Sequence, residues 1–388
     1  DMRISKLNRA ILYTLILLLP TSCHWFSPKE ETVERSLLIY TVITSNLSSS
    51  IKENIQDIKK SPHVPKDFDL RKESGDVLLI LEHYEGDVPR LKRLSMDKYG
   101  VVNEEILMEY EGRSSIETEL LHEILVYVDS IFPAQESGIL FSSHGSGWTP
   151  VDYYRNPVVK SFGQMDRKEM DIMELASAIP QKYSYIMFDA CLMAGIEVAY
   201  ELKDKAEYLV LSPTEIMAAG FPLGDVIEQA FYSEAPLQER VSSVARSYYD
   251  YYNAAGTGGG TICVVRTDNL PQVAAAAKAI FAKDRERIKT LNMKNLQRYY
   301  RGDRHWFYDF GHFVENLSSD KGLYDSFCAA MNGAVVAKYA TEKFLSIDIR
   351  NFSGLSIYVP NPSNEYLDNY YMGYAWNREV GMIQQVIK

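Results

Sequence analysis

The stretch Tyr185 to Leu202, YIMFDACLMAGIEVAYEL, decides how the rest of the chain is read. Its first part, Tyr185 to Phe188, is an apolar run too short for a helix and suited to a strand buried on both faces. From Leu192 the spacing changes, and Met193, Ile196, Val198, Ala199 and Leu202 recur at helical intervals. Cys191 thus stands where strand is expected to give way to helix. A thiol there lies near the positive end of a helix dipole, which favours the thiolate. Taken alone, the stretch equally admits an inert packing cysteine.

Working outward, Ser137 to Trp148 reads SGILFSSHGSGW, with a strand at Ile139 to Ser142 and His144-Gly145 just beyond its carboxyl end. Arg167 to Ala178 has helical spacing and is closed by Pro180. Strand, helix, strand demands a parallel pair joined by a crossover, and both strands then end on one rim, where open α/β sheets place their ligand sites. His144 and Cys191 should therefore meet, although 47 residues separate them. Between His144 and the crossover helix lies a long loop, Ser146 to Met165, which contains Arg155 and Lys160. Loops of that length are usually functional or disordered, and exposed tips of this kind are where proteolysis happens.

Strands are expected at Ser36 to Val42, Gly75 to Glu82, Tyr208 to Leu211 and Thr261 to Arg266, with helices at Leu47 to Lys60 and Ser115 to Phe132. Arg90 to Met108 reads as a hairpin at the sheet edge, turning near Lys98-Tyr99-Gly100. Ser212-Pro213-Thr214-Glu215 has the offsets of a capping box for a short helix that Gly220-Phe221-Pro222 would end. Further helices follow at Leu223 to Tyr232 and Pro236 to Tyr252. The glycines of GTGGGT, Gly256 to Thr261, precede a strand and lack the spacing of a phosphate loop, so a flexible turn is expected. From Pro271 the pattern is mainly helical, apart from a last strand at Gly354 to Pro360 that is placed to rejoin the main sheet. The expected organisation is a catalytic domain over 36–266 and a mainly helical C-terminal subdomain over 267–388.

The 388 residues suffice for a large core, and a net charge of −11 without a basic stripe argues against a nucleic-acid partner. The first residues look like an export signal: Arg3, Lys6 and Arg9 precede an apolar run, Ala10 to Leu19, that is too short to span a bilayer. Pro20-Thr21-Ser22-Cys23 then resembles a lipoprotein signal, with Cys23 the residue to be lipidated. Pro20 stands where that pattern has its leucine, so secretion without lipid and an uncleaved N-terminal anchor remain alternatives. Residues 24–35 read as a polar tether. Without Cys23, three cysteines remain, Cys191, Cys263 and Cys328, an odd number that points to a free thiol.

The chain has no G-x-S-x-G, H-E-x-x-H, C-x-x-C or P-loop motif, and His122-Glu123 lacks the second histidine of a zinc helix. That leaves the Cys/His pair. SSHGSGW around His144 and FDACLMAGIEVAYEL around Cys191 resemble the clostripain family of cysteine peptidases, relatives of caspases, gingipains and legumain. FYDFGHFVENL, Phe307 to Leu317, and FSGLSIYVPNP, Phe352 to Pro362, are similar to blocks of that family's C-terminal half.

The resemblance implies an α/β fold with a caspase-like, mostly parallel central sheet flanked by helices. It implies Cys191 as nucleophile, His144 as its acid–base partner, and the N–H groups of Gly145 and Cys191 as oxyanion donors. It also implies cleavage after Arg or Lys, for which Asp189, two residues before Cys191 on the same strand face, is the matching pocket acid. A cap or a buried hydrogen-bonding carboxylate is the alternative for Asp189. Where some relatives carry a second acid this chain has Met217-Ala218-Ala219, and Glu215 is more easily accounted for by its capping box; with Asp189, Met217 and Glu215 are the candidate substrate-binding residues. The long loop matches the region where relatives cut themselves, with Arg155 and Lys160 as candidate sites. Peptide or protein substrates, a monomer, no cofactor, and membrane attachment only through a lipid are expected. The rival reading is a catalytically silent cell-surface binding protein on the same fold.

Overall fold

In the computed structural model the described residues are 32–44, 47–70, 73–151, 169–254, 256–300, 302, 306–360 and 364–387. Cys23, Arg155, Lys160 and the export signal lie outside them. No helix among the described residues is long and apolar enough to cross a membrane.

The scaffold is a nine-stranded sheet in the order β10-β8-β7-β6-β5-β1-β2-β3-β4. Its strands are β1 (Val33–Thr41), β2 (Val77–Glu82), β3 (Arg90–Met96), β4 (Val102–Glu109), β5 (Ala134–Ser142), β6 (Tyr183–Asp189), β7 (Ala206–Leu211), β8 (Thr261–Arg266) and β10 (Val335–Ala340). The five central strands, β2, β1, β5, β6 and β7, are parallel. They read as near-continuous apolar runs because helices cover both faces. The β3–β4 hairpin forms one edge, as its alternating pattern predicts, and antiparallel β8 and β10 form the other.

Each face of the sheet buries its own apolar cluster. Helix Ser48–Lys60 shows how sequence selects a face, since Ile51, Ile55 and Ile58 recur at helical intervals and are its buried residues. Beneath the rim, Phe141 of β5 stands opposite Phe188 of β6 and stacks on it, with ring centroids 5.3 Å apart. Cys263 on β8 and Cys328 on helix Lys321–Ala334 are both free thiols, so they do not pair.

Several expected elements are corrected. No helix starts at Leu192. Cys191 and Leu192 form a turn, and the helix is only Ile196–Glu201, capped by Gly195. The dipole rationale for a thiolate at Cys191 therefore falls. Ser212 to Glu215 caps no helix either. Instead the Ser212 and Thr214 hydroxyls lie 3.0 and 2.8 Å from that of Thr261 at the start of β8. The late strand is two residues, β13 (Ser356–Ile357), and pairs with β9 (Tyr308–Asp309), not with the main sheet. The C-terminal strand that does join the main sheet is β10, in a region read as helical.

Candidate active site

Register fixes the frame of the site. Ser142, the last residue of β5, stands directly opposite Asp189, the last residue of β6. His144 and Cys191 each lie two residues further on, so the two loops leave the sheet side by side. Both side chains are half-buried and line one cavity of about 380 Å³. Asp189, Glu215 and Met217 line it as well, which brings together every expected substrate-binding residue.

The loops are held at van der Waals distance or less. A Cβ on Gly145 would lie 2.6 Å from the Cys191 carbonyl oxygen and 2.9 Å from its nitrogen. Only glycine fits there, and its bare Cα leaves the face of the Cys191 N–H open. Gly147, at φ +60°, approaches as closely, for its Cβ would meet the Leu192 carbonyl at 2.4 Å. On the far side the Leu192 N–H donates to Thr214 (2.9 Å) and the Ala194 N–H to Ser212 (3.0 Å). These contacts hold Leu192 at φ +62°, a left-handed conformation that costs a non-glycine residue roughly 1–2 kcal/mol. The Ile216 N–H points at the Cys191 sulfur, 3.3 Å away, and supplies a donor for charge on sulfur.

Asp189 forms the floor. It is 8% exposed and accepts a hydrogen bond from the Ser142 hydroxyl at 3.0 Å. Burial pushes its carboxyl up to about 6, against the pull of Ser142 and of the Phe221 N–H. The Gly220-Phe221 turn wraps it closely, since a Cβ on Gly220 would sit 2.6 Å from Asp189 Oδ2. Glu215, 5% exposed, belongs to the cavity wall and not to a cap, so the cavity has two acids. Among the described residues that line it there is no lysine or arginine.

Three contributions were not read from sequence. Ile51 comes from helix Ser48–Lys60 and Leu47 from the position just before it, and Phe344 and Leu345 from the short hairpin of β11 (Lys343–Phe344) and β12 (Ile347–Asp348). The glycine run seats that hairpin: Gly258 and Gly259 have φ of +90° and +84°, and a Cβ on Gly259 would fall 2.0 Å from the Lys343 carbonyl oxygen.

The third is Glu197, fully buried behind both loops. Its Oε1 accepts from the Tyr358 N–H and the Tyr371 hydroxyl, each at 2.8 Å. Those tyrosines pack on Trp148 of the His144 loop, with centroids 4.6 and 5.3 Å away. Burial raises the Glu197 carboxyl to about 7, which those hydrogen bonds and a backbone one only partly oppose. The folded value exceeds the unfolded one near 4.3, so the folded state holds this proton more tightly. Its contribution to stability is complete below about pH 4 and is lost as pH rises through about 7. Glu197→Gln has no such proton to lose. Between pH 5 and pH 8 its stability relative to wild type should improve by on the order of 2–3 kcal/mol, as read from urea unfolding at both pH values.

The comparisons with known proteins bear on the family and the fold. The sequence model of the Clostripain family matches residues 39–385. An inactive zymogen C11 protease from Parabacteroides distasonis superposes with a TM-score of 0.77 at 29% identity, covering 90% of this chain and 98% of that one. A secreted C11 cysteine protease from Bacteroides thetaiotaomicron, in complex with an irreversible peptide inhibitor, gives 0.76 at 25% identity, covering 90% and 99%. Among curated proteins nothing matches. Matched over nearly its whole described length, and folded as those proteases are, this chain belongs to the clostripain family and is a cysteine peptidase.

Proposed function

We propose that the protein is an exported endopeptidase that cuts after Arg or Lys, using Cys191 as nucleophile and His144 as its acid–base partner. The observation that carries this reading is the fit of Gly145 against the Cys191 backbone beside a cavity lined by His144, Cys191 and two acids. The sulfur attacks the scissile carbonyl and forms an acyl-enzyme. The oxyanion meets the Gly145 and Cys191 N–H groups, and the His144 imidazolium protonates the leaving amine. Water then attacks the thioester, with His144 as base, and releases the acid.

A lysine or arginine side chain beside Cys191 reaches the floor carboxylate of Asp189, and Glu215 in the wall adds to the negative potential. Burial of Asp189 makes its charge dependent on a cationic partner, which favours basic over neutral side chains. A peptide panel varied at P1 tests this. Arg and Lys peptides should exceed Leu and Asp peptides by at least about 100-fold in kcat/KM, and Asp189→Asn should erase most of that margin. In wild type the margin should shrink as pH falls below about 6, where the floor carboxyl takes up a proton. A panel with equal turnover of Leu and Arg peptides would rule out the basic preference.

Export with lipidation at Cys23, and activation by self-cleavage at Arg155 or Lys160, complete the proposal. The signal-like N-terminus and the long loop beside His144 support them. Of the matching proteases, one is an inactive zymogen and another is secreted.

A further inference from the structure

The cavity has two chemistries. Its lining carries the acids Asp189 and Glu215 and, besides them, an apolar lip of the partly exposed Met217, Leu345 and Leu47, backed by the buried Phe344 and Ile51. A basic P1 side chain accounts for the acids and leaves the lip unexplained. Leu345 is its most unusual member. It is 37% exposed although it lines the cavity, and it sits at the tip of the β11–β12 hairpin with φ +49°. A left-handed backbone is costly for leucine, so the hairpin holds this side chain at the cavity against local strain. The Leu345 N–H donates to the Gly258 carbonyl at 2.8 Å, which fixes the tip. A Cβ on Gly258 would lie 3.0 Å from Leu345 Cδ2 and 3.2 Å from Met217 Cε, so the two side chains share one glycine-lined seat.

Sheet order says which part of a substrate passes this lip. β6 carries Cys191, β5 on one side leads to His144, and β7 on the other leads to the segment 215–217. The leaving amine must face His144, so the acyl half of the substrate lies on the β7 side, where Met217 and Leu345 stand. We infer that Leu345 and Met217, backed by the buried Phe344, form an apolar subsite for the P2 side chain, so that preferred substrates carry an aliphatic or aromatic residue immediately before P1. The inference rests on the peptidase assignment above. It assigns specificity to a hairpin of the C-terminal half, outside the main sheet.

The test separates the subsite from catalysis by measuring binding to protein that cannot turn over. Fluorescently labelled peptides with Leu or Gly at P2, in one series with Arg and one with Ala at P1, are titrated into Cys191→Ala and into the double variant Cys191→Ala/Leu345→Gly, each first cut within 146–165 by trypsin and then freed of it. Glycine relieves the φ strain, so the hairpin backbone is retained. The Leu peptide should bind Cys191→Ala about tenfold more tightly than the Gly peptide, and the double variant should reduce that ratio to about two. Equal affinities in Cys191→Ala, or an undiminished ratio in the double variant, would overturn the P2 subsite. Failure of the peptidase assignment shows separately, as absence of turnover by wild type on the same peptides.

Discussion

Replacing Cys191 by alanine is expected to lower kcat by roughly 10⁵-fold or more while the fold stays as it is. The acyl bond is made by sulfur, so its removal takes away the covalent route and leaves only what the oxyanion donors and substrate positioning can do for water attack. The structural cost is small. Cys191 is half-buried, and its sulfur exchanges long hydrogen bonds with the Ile216 backbone, accepting from the N–H and donating to the carbonyl. The check is turnover of a fluorogenic peptide beside a thermal melt, where the melting temperature should move by no more than a few degrees. The variant also reports on processing. Wild type should be cut within 146–165 on purification and Cys191→Ala should keep its intact mass. Wild type that is uncut and fully active would refute self-activation, and a variant of near-normal turnover would refute the nucleophile.

Gly145→Ala should come next in size, with kcat down by about 10²–10³ and KM changed far less. A methyl at that position meets the Cys191 carbonyl oxygen at 2.6 Å and its nitrogen at 2.9 Å, both backbone atoms that no rotamer change can move. The two loops must part by several tenths of an ångström, and the donor pair loses its aim at the oxyanion. Overpacking of this kind also costs about 1–3 kcal/mol of stability. Gly224→Ala is the control, since nothing lies within 4 Å of a Cβ there. A Gly145→Ala enzyme with normal kcat would remove Gly145 from the oxyanion site.

Much of this site was legible because it follows from a short, regular unit. The apolar run at Tyr185 to Phe188 and the helical spacing before it required a parallel β5–β6 pair, and a parallel pair brings His144 to Cys191 whatever the side-chain detail. Reading failed where burial erased periodicity. Residues 192–196 are all fully buried, so a tight turn and a helix start look alike in apolar content. Local capping chemistry misled at Ser212 and Thr214, whose hydroxyls find Thr261, 47 or more residues away, instead of a helix N-terminus. The same holds for β10, whose pairing with β8 overrides the helical propensity of its alanines. Leu345 carried no local signal, because its position depends on a seat made by distant glycines.

The β5–β6 pairing has a consequence for a processed molecule. The loop joining His144 to the crossover is also the only covalent link between the strand that leads to the imidazole and the strand that leads to the thiol. After one cut there, acid–base group and nucleophile belong to different polypeptides, and five ladder positions from Gly138–Tyr185 to Ser142–Asp189 become a subunit interface. The mature enzyme would then be a heterodimer by covalent structure: catalysis would depend on an association equilibrium, and fragments parted by denaturant would each be inert until they found a complementary half.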